Sequence, residues 1–140
     1  MITFLNVRKD TLKSLNFAEY IHGNRWFQSL QICKNLEELG ISYAENMDDN
    51  AVDAISQLHN LRILKLNFAY TYINMEIDCN FKTLFNKGNL ENLLHIDLNC
   101  CSNINNEVLK TISTGKNHNY FGNLSFCPPH CSDSQLFLIY

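Results

Sequence analysis

A triplet of apolar residues recurs along the chain with a fixed spacing of three residues and then two. The copies start 24 to 32 residues apart, and they are Leu12, Leu15 and Phe17; Leu36, Leu39 and Ile41; Leu61, Leu64 and Leu66; Leu93, Ile96 and Leu98; and Phe121, Leu124 and Phe126. A short apolar motif that returns at such intervals is typical of repeat proteins, in which stacked units bury one another's apolar faces. The pattern therefore predicts that each triplet is one short strand of a stacked repeat.

Apolar residues at helical spacing follow the second triplet: Met47, Ala51, Ile55 and Leu58. Asp48 or Asp49 is placed to cap this helix, because a carboxylate accepts hydrogen bonds from the free amides of a first helical turn. A similar helix is predicted from Trp26 to Cys33, with Phe27 and Leu30 facing inwards, and a further one near residues 81–85. One strand and one helix in each unit are typical of leucine-rich repeats.

The sequence thus predicts an α/β fold, a leucine-rich-repeat solenoid that forms a right-handed horseshoe with a parallel sheet on its concave face. We divide a single domain of 140 residues into about five repeats at residues 12–35, 36–60, 61–92, 93–120 and 121–140. The third repeat runs long through an insertion at residues 68–78. In the fourth, Asn105 or Asn106 is expected to cap a helix that carries Val108, Leu109 and Ile112 and ends at Gly115.

The two ends of the sequence fit the repeat less well. Ile2, Leu5 and Val7 match the triplet spacing, which predicts a truncated repeat or a cap strand before Leu12. Residues 135–140 are predicted to begin a helix or a strand. Because neither end shows a convincing cap with a polar outer face, we expect a fragment of a longer protein, a short isoform or an incompletely predicted gene.

Charge and composition exclude several kinds of partner. The chain has 46% apolar residues and a net charge of −3, and its 11 basic residues are scattered. Nucleic-acid binding needs clustered Lys and Arg, and membrane spanning needs about 20 consecutive apolar residues. We therefore expect neither nucleic acid nor membrane as a partner, a location in the cytoplasm with the nucleus as the alternative, and six reduced cysteines.

The face of the sheet that turns away from the core is the predicted binding surface. Side chains alternate along a strand, so the residues between the triplet positions point outwards. These residues are small or polar, apart from the apolar Ile63, as suits the docking of another protein, although the alternative is a merely solvated face. They are Ser14 and Asn16; Glu38 and Ser42, with Gly40 between them; Ile63, Lys65 and Asn67; His95, Asp97 and Asn99; and Asn123 and Ser125.

A cysteine and histidine cluster raises the question of a metal. Cys127, His130 and Cys131 form a C-x-x-H-C motif, and Cys100 and Cys101 lie one repeat earlier. Zinc takes four thiolate or imidazole ligands, so a site is open to these residues. Structural cysteines are the favoured interpretation, because Cys101 falls at a core position of the repeat.

No set of residues points to catalysis. His95 and Asp97 share one face of a predicted strand, and such a pair can serve acid–base chemistry. No nucleophile, Gly-rich phosphate loop or second carboxylate is spaced to join them. We therefore predict a protein that is not an enzyme and has no cofactor.

The run from Leu93 to Leu109 resembles the cysteine-containing leucine-rich repeat of the F-box/leucine-rich-repeat proteins. The pattern of that family is L-x-x-L-x-L-x-x-C-x-x-I-T-D-x-x-L, in which Cys101 and Ile104 match and Asn106 replaces the usual Asp. The second repeat places Ala44, Met47 and Asp49 at the Cys, Ile and Asp positions. The stretch 32–36 also resembles the C-x-N-L junction between such repeats.

This resemblance implies a function in protein recognition. In that family the repeats recruit a substrate protein, while an N-terminal F-box binds the adaptor of an SCF ubiquitin ligase. No F-box is recognisable in this sequence, so the resemblance implies the substrate-recognition part, and adaptor binding would need an F-box outside this chain. The alternatives are a ribonuclease-inhibitor-like repeat scaffold unconnected to ubiquitin and, less favoured, a zinc-binding or redox-sensing cysteine protein.

Overall fold

The fold is α/β, as predicted, with a sheet of six strands. The computed structural model describes residues 1–17, 25–42, 47–67, 80–86, 89–99, 108, 110, 111, 121–125 and 136–138, of which 99, 121–125 and 136–138 are described by their backbone. The helices are α1 (Ile2–Arg8), α2 (Arg25–Leu30) and α3 (Asp49–Ser56), followed by a 3-10 helix at Phe81–Phe85. The strands are β1 (Ser14–Phe17), β2 (Glu38–Ser42), β3 (Ile63–Asn67), β4 (His95–Asn99), β5 (Phe121–Ser125) and β6 (Leu136–Leu138).

The strands lie in the sheet in the order in which they occur along the chain, and β1 to β5 run parallel. The predicted triplet residues of the first four strands are in register. One row consists of Leu15, Leu39, Leu64 and Ile96, and the next of Phe17, Ile41, Leu66 and Leu98. Apart from the partly buried Phe17, these side chains are all buried, so both rows belong to one continuous core.

The same turn precedes β2, β3 and β4. In each turn a leucine amide donates to the carbonyl three residues earlier: Leu36 to Cys33, Leu61 to Leu58 and Leu93 to Leu90, at 2.9 to 3.1 Å. All six of these side chains are buried. A chain that makes the same turn three times places each following strand in the same way, which explains the shared register.

Helices close the buried side of the sheet as the helical spacing predicted, although α2 ends at Leu30 and not at the predicted Cys33. Helix α2 packs against α1 and α3, and α3 packs against the 3-10 helix. Trp26, Phe27 and Leu30 are buried in α2. The predicted cap of α3 is Asp48, whose carboxylate accepts a hydrogen bond of 2.9 Å from the amide of Ala51.

The N-terminal prediction of a truncated repeat or cap strand is wrong, because residues 2–8 form helix α1. Only Leu5 of the apparent triplet is buried, while Ile2 is 44% and Val7 75% exposed. The segment before β1 is too short for a strand and a returning helix. It has room for one short helix, which packs against α2.

The last two strands also depart from the predicted arrangement. Alignment of the triplets would place Leu124 beside Ile96, but Gly122 occupies that position, a shift of two residues. Strand β6 runs antiparallel to β5, so the prediction of an entirely parallel sheet is wrong there. The ten residues 126–135 between these strands are fewer than the dozen or more that a parallel crossover takes.

Several predictions fall outside the described residues, among them the insertion at residues 68–78, the caps Asn105 and Asn106, and Gly115. Val108 is buried, and residues 108, 110 and 111 are helical as expected. Within the described parts of the chain, no helix is long and apolar enough to span a bilayer.

Candidate functional site

The strand residues between the core positions form a second surface, which we call the open face. The register aligns them in three rows: Ser14, Glu38, Ile63 and His95; Asn16, Gly40, Lys65, Asp97 and Asn123; and Ser42, Asn67 and Asn99. Except for the buried Gly40, the side chains described here are exposed or half-buried. The predicted residues of the first four strands are thus brought together on one face.

The backbone places the remaining predicted residues beside this surface. Asn123 pairs with Asp97, where the triplet alignment had placed it beside His95, because of the two-residue shift in β5. A shift by an even number keeps the alternation of faces, so Asn123 and Ser125 retain the phase of the open face. Both also pair with β6, through Leu138 and Leu136.

A polar network occupies the open face at β1, β2 and β3. Ser14 Oγ donates to Glu38 Oε2 at 3.1 Å, and Lys65 Nζ lies 3.5 Å from Glu38 Oε1. Asn16 Nδ2 donates to Ser14 Oγ at 3.2 Å. The hydrogen bond from Ser14, with smaller contributions from Asn16 and Lys65, holds the pKa of Glu38 below its ordinary value. The network therefore keeps Glu38 charged and fixed.

Gly40 makes room for the Asn16 side chain in this network. A Cβ at position 40 would collide with the amide oxygen of Asn16. Because glycine has no side chain, the Asn16 side chain can lie across β2 and reach Ser14 and Glu38. The sequence gives no direct sign of this contact, since it depends on the pairing of β1 with β2.

Asp97 has a different environment from Glu38. Burial raises the pKa of its carboxyl group, and the nearby charges of His95 and Lys65 only partly oppose that effect. Its Oδ1 atom is buried and has no hydrogen-bond partner among the described residues. The surroundings of Asp97 therefore disfavour its ionised form. Its neighbour on the open face is His95, the residue with which the sequence analysis groups it.

A groove along the start of the strands was not predicted. It lies between the first row of the open face and the residues that immediately precede the strands, and its volume is about 380 Å³. We call it the strand-entry groove, and its lining residues are Lys13, Ser14, Glu37, Glu38, Arg62, Ile63, Leu94 and His95. Four of these, Lys13, Glu37, Arg62 and Leu94, each follow the leading leucine of a triplet, which is the sequence signal that could have identified them.

Charge and apolar surface alternate in this groove. Lys13 Nζ forms an ion pair with Glu37 Oε1 at 2.7 Å. One hydrogen bond from Lys13 and the charge of Lys13, with a smaller effect of Arg62, lower the pKa of Glu37. Leu94 is 41% exposed, whereas the other leucines whose side chains are described are buried or half-buried. The groove thus offers a partner both an apolar contact and charged groups.

Three asparagines line a larger open groove of about 620 Å³ next to these residues. Each donates through Nδ2 to a backbone carbonyl of the preceding unit at 2.8 Å: Asn35 to Asp10, Asn60 to Lys34 and Asn92 to His59. Each also directly precedes the leading leucine of its triplet. Their primary role is structural, because they join successive units.

The candidate zinc ligands Cys100, Cys101, Cys127, His130 and Cys131 lie outside the described residues. Within the described ranges, no three His, Cys, Asp or Glu side chains are grouped so as to hold a metal ion. Cys33 is a buried free thiol, and burial raises its pKa. A buried thiol of this kind acts as a small apolar core residue.

Comparison with known proteins adds no further assignment. No protein-family model, curated protein or solved structure matches the chain. What the open face and the strand-entry groove can do follows from their own chemistry. They present hydrogen-bonding groups, an exposed leucine, a partly exposed isoleucine and fixed charges on a rigid sheet.

Proposed function

We propose that this chain is a leucine-rich-repeat interaction module that binds a substrate protein on the open face of its sheet. The observation that carries the proposal is the exact register of β1 to β4, which aligns varied polar side chains in rows over one buried core. A rigid scaffold with a varied outer surface is the arrangement by which repeat proteins bind partners.

The repeated local geometry supports the solenoid interpretation. At the start of three strands, two successive amides donate to one carbonyl of the preceding unit: those of 37 and 38 to Lys13, 62 and 63 to Glu37, and 94 and 95 to Arg62. The shared turns and the three asparagine bonds recur at the same positions. Recurrent contacts between nearest neighbours are what a solenoid requires.

The more specific proposal is the substrate-recognition part of an F-box-type SCF ubiquitin ligase subunit. It is supported by the resemblance of residues 93–109 to the family's repeat, together with the buried strand positions Ile96 and Leu98 and the buried Val108 in that segment. Adaptor binding would require an F-box outside this chain. A ribonuclease-inhibitor-like scaffold without a ligase remains the alternative, since fold alone does not determine function.

The test is capture of partners from cells with three forms of the chain, followed by mass spectrometry. One form is unchanged, the second carries Glu38→Ala, Lys65→Ala and Asp97→Ala, and the third carries Gln28→Ala, Asn50→Ala and Asp53→Ala. The last three residues are exposed on α2 and α3, so this form is a matched control. We expect a specific partner that is lost from the second form and kept by the third.

Thermal unfolding of all three forms ensures that a loss of binding does not reflect a loss of folding. A partner that still binds the second form contradicts the assignment of the open face. The ligase question needs a separate measurement, namely the half-life of the captured protein with and without inhibition of cullin ligases. A half-life that lengthens with the inhibitor and with removal of this chain supports the SCF role, whereas an unchanged half-life supports the scaffold.

A further inference from the structure

We propose that the strand-entry groove is an anchor pocket for a partner segment in which a bulky apolar side chain lies next to a carboxylate. This inference rests on the proposed function and identifies the chemistry of the partner. It shifts the centre of binding from the middle of the open face to the start of β3 and β4.

The apolar requirement follows from Ile63 and Leu94. Ile63 is the first residue of β3 and pairs with His95, the first residue of β4. Leu94 immediately precedes His95 and therefore lies close to Ile63. Both line the groove, and 41% of Leu94 is exposed. A volume of about 380 Å³ lies at the small end of ligand pockets. A large side chain inserted here would cover the leucine, and such central apolar anchors dominate interface energies.

The carboxylate requirement follows from the balance of charges in the groove. Glu37 pairs with Lys13 at 2.7 Å, and Glu38 pairs with Lys65 at 3.5 Å. The charge of Arg62 contributes to the lowered pKa of Glu37, but the described part of the chain provides no ion pair for its guanidinium. A guanidinium presents a planar set of donors that matches a carboxylate. Arg62 therefore favours an acidic residue on the partner.

The same charges disfavour a polyanionic partner. Glu37 and Glu38 line the groove together with Arg62, and hydrogen bonds and ion pairs lower the pKa of both carboxyls. Both groups are thus ionised at neutral pH. A strand of phosphates would meet these two carboxylates, whereas one carboxylate next to an apolar side chain would meet Arg62 and Leu94.

The direct test uses NMR titration of the ¹⁵N-labelled chain with three short peptides. The first is acetyl-Ala-Trp-Glu-Ala-amide, the second replaces its Glu with Lys, and the third replaces its Trp with Ala. We expect the first peptide to shift the amide resonances of residues 62, 63, 94 and 95. Its affinity should exceed that of either other peptide by about threefold or more, the size of one exposed charge pair or apolar contact.

A charge reversal distinguishes specific recognition from nonspecific binding. In the Arg62→Glu variant the Lys peptide should bind more tightly than the Glu peptide, which reverses the order seen with the unchanged chain. Ile63→Ala should weaken both Trp-containing peptides about equally and leave their order unchanged. Gln28→Glu, an exposed change on α2, is the control, and it should alter neither affinity nor order.

Three outcomes would overturn the pocket assignment: no shift with the Trp-Glu peptide, an unchanged order of peptides in Arg62→Glu, or shifts centred on Lys65 and Asn67. None of them concerns the loss of a captured partner from the Glu38→Ala, Lys65→Ala and Asp97→Ala form. Failure of the pocket and failure of the open face are therefore distinguishable.

Discussion

At the scale of single residues, Ser14 controls the ionisation of Glu38. Its hydrogen bond is the largest of the causes that lower the pKa of Glu38 from 4.5. The lowered value means that this interaction stabilises the folded chain above the ordinary pKa and loses its effect as pH falls through the folded value. In Ser14→Ala the pKa of Glu38 should rise towards its ordinary value.

The measurement for this variant is an NMR titration of the Glu38 carboxyl carbon in the unchanged chain and in Ser14→Ala. Thr11→Ala provides the control, because the Thr11 hydroxyl donates to the carbonyl of Arg8 and belongs to no network on the open face. Identical titration curves in the unchanged chain and Ser14→Ala would show that Ser14 has no such role.

Asp97 should have the opposite effect on stability. Burial raises its folded pKa above the ordinary 3.8, so the folded state holds its proton to higher pH than the unfolded state. Stability therefore decreases as pH rises from the ordinary value through the raised one. Asp97→Asn removes the ionisation and should unfold at a higher urea concentration than the unchanged chain near neutral pH.

The advantage of Asp97→Asn should shrink as the pH falls through the raised value towards 3.8, and it should be lost below 3.8, where Asp97 is mostly protonated in both states. Urea unfolding across that range checks the prediction. A constant difference between the two proteins at all pH values would mean that the substitution acts through packing or hydrogen bonding and not through ionisation.

At the scale of secondary-structure elements, β3 provides two neighbouring residues with opposite surroundings. Leu64 is fully buried between Leu39 and Ile96, whereas Ile63 is half-buried on the open face. Leu64→Ala should lower the free energy of unfolding by about 2–5 kcal/mol, through lost apolar burial and a residual cavity. Ile63→Ala should cost about 1 kcal/mol or less. Chemical denaturation of both variants measures the difference, and equal losses would contradict the assignment of the faces.

The triplet spacing predicted β1 to β4 because each triplet fixes which side chains face the core, and the register of Leu39, Leu64 and Ile96 confirms it. Helices α2 and α3 were predictable because apolar residues at helical spacing likewise fix which side chains face the core. The spacing misled for Ile2, Leu5 and Val7, since three residues fit a strand or a helix equally well. The register of β5 and the direction of β6 were not predictable, because they depend on strand pairing and not on local pattern.

The candidate site was predictable to a similar degree. Alternation within a strand identified residues such as Lys65 and Asp97 on the open face. It could not identify the contact between Asn16 and Gly40 or the groove beside Leu94, because both depend on neighbouring strands. Residues that precede a strand have no alternation to predict their direction, so Arg62 and Leu94 could be identified only from their shared position after the leading leucine of a triplet.

At the scale of the whole molecule, the asparagine bonds should contribute to the coupling of successive units. Asn60→Ala removes the bond from Nδ2 to the carbonyl of Lys34 and should lower the free energy of unfolding by about 0.5–1.5 kcal/mol. Asn50→Ala is the control, since among the described residues its side-chain amide makes only a long contact of 3.5 Å with Asp48. Urea denaturation compares the two, and a loss in Asn60→Ala no greater than in Asn50→Ala would argue against the coupling.

The three asparagines bond to the main chain of an aspartate, a lysine and a histidine, which are Asp10, Lys34 and His59. Every residue has a main-chain carbonyl, so the bond places no demand on the type of side chain in the neighbouring unit. One unit can therefore be duplicated, exchanged or altered on its outer surface without loss of the bond that joins it to the next. The same bond can therefore form whatever side chains the neighbouring unit exposes, and this leaves those exposed side chains free to vary.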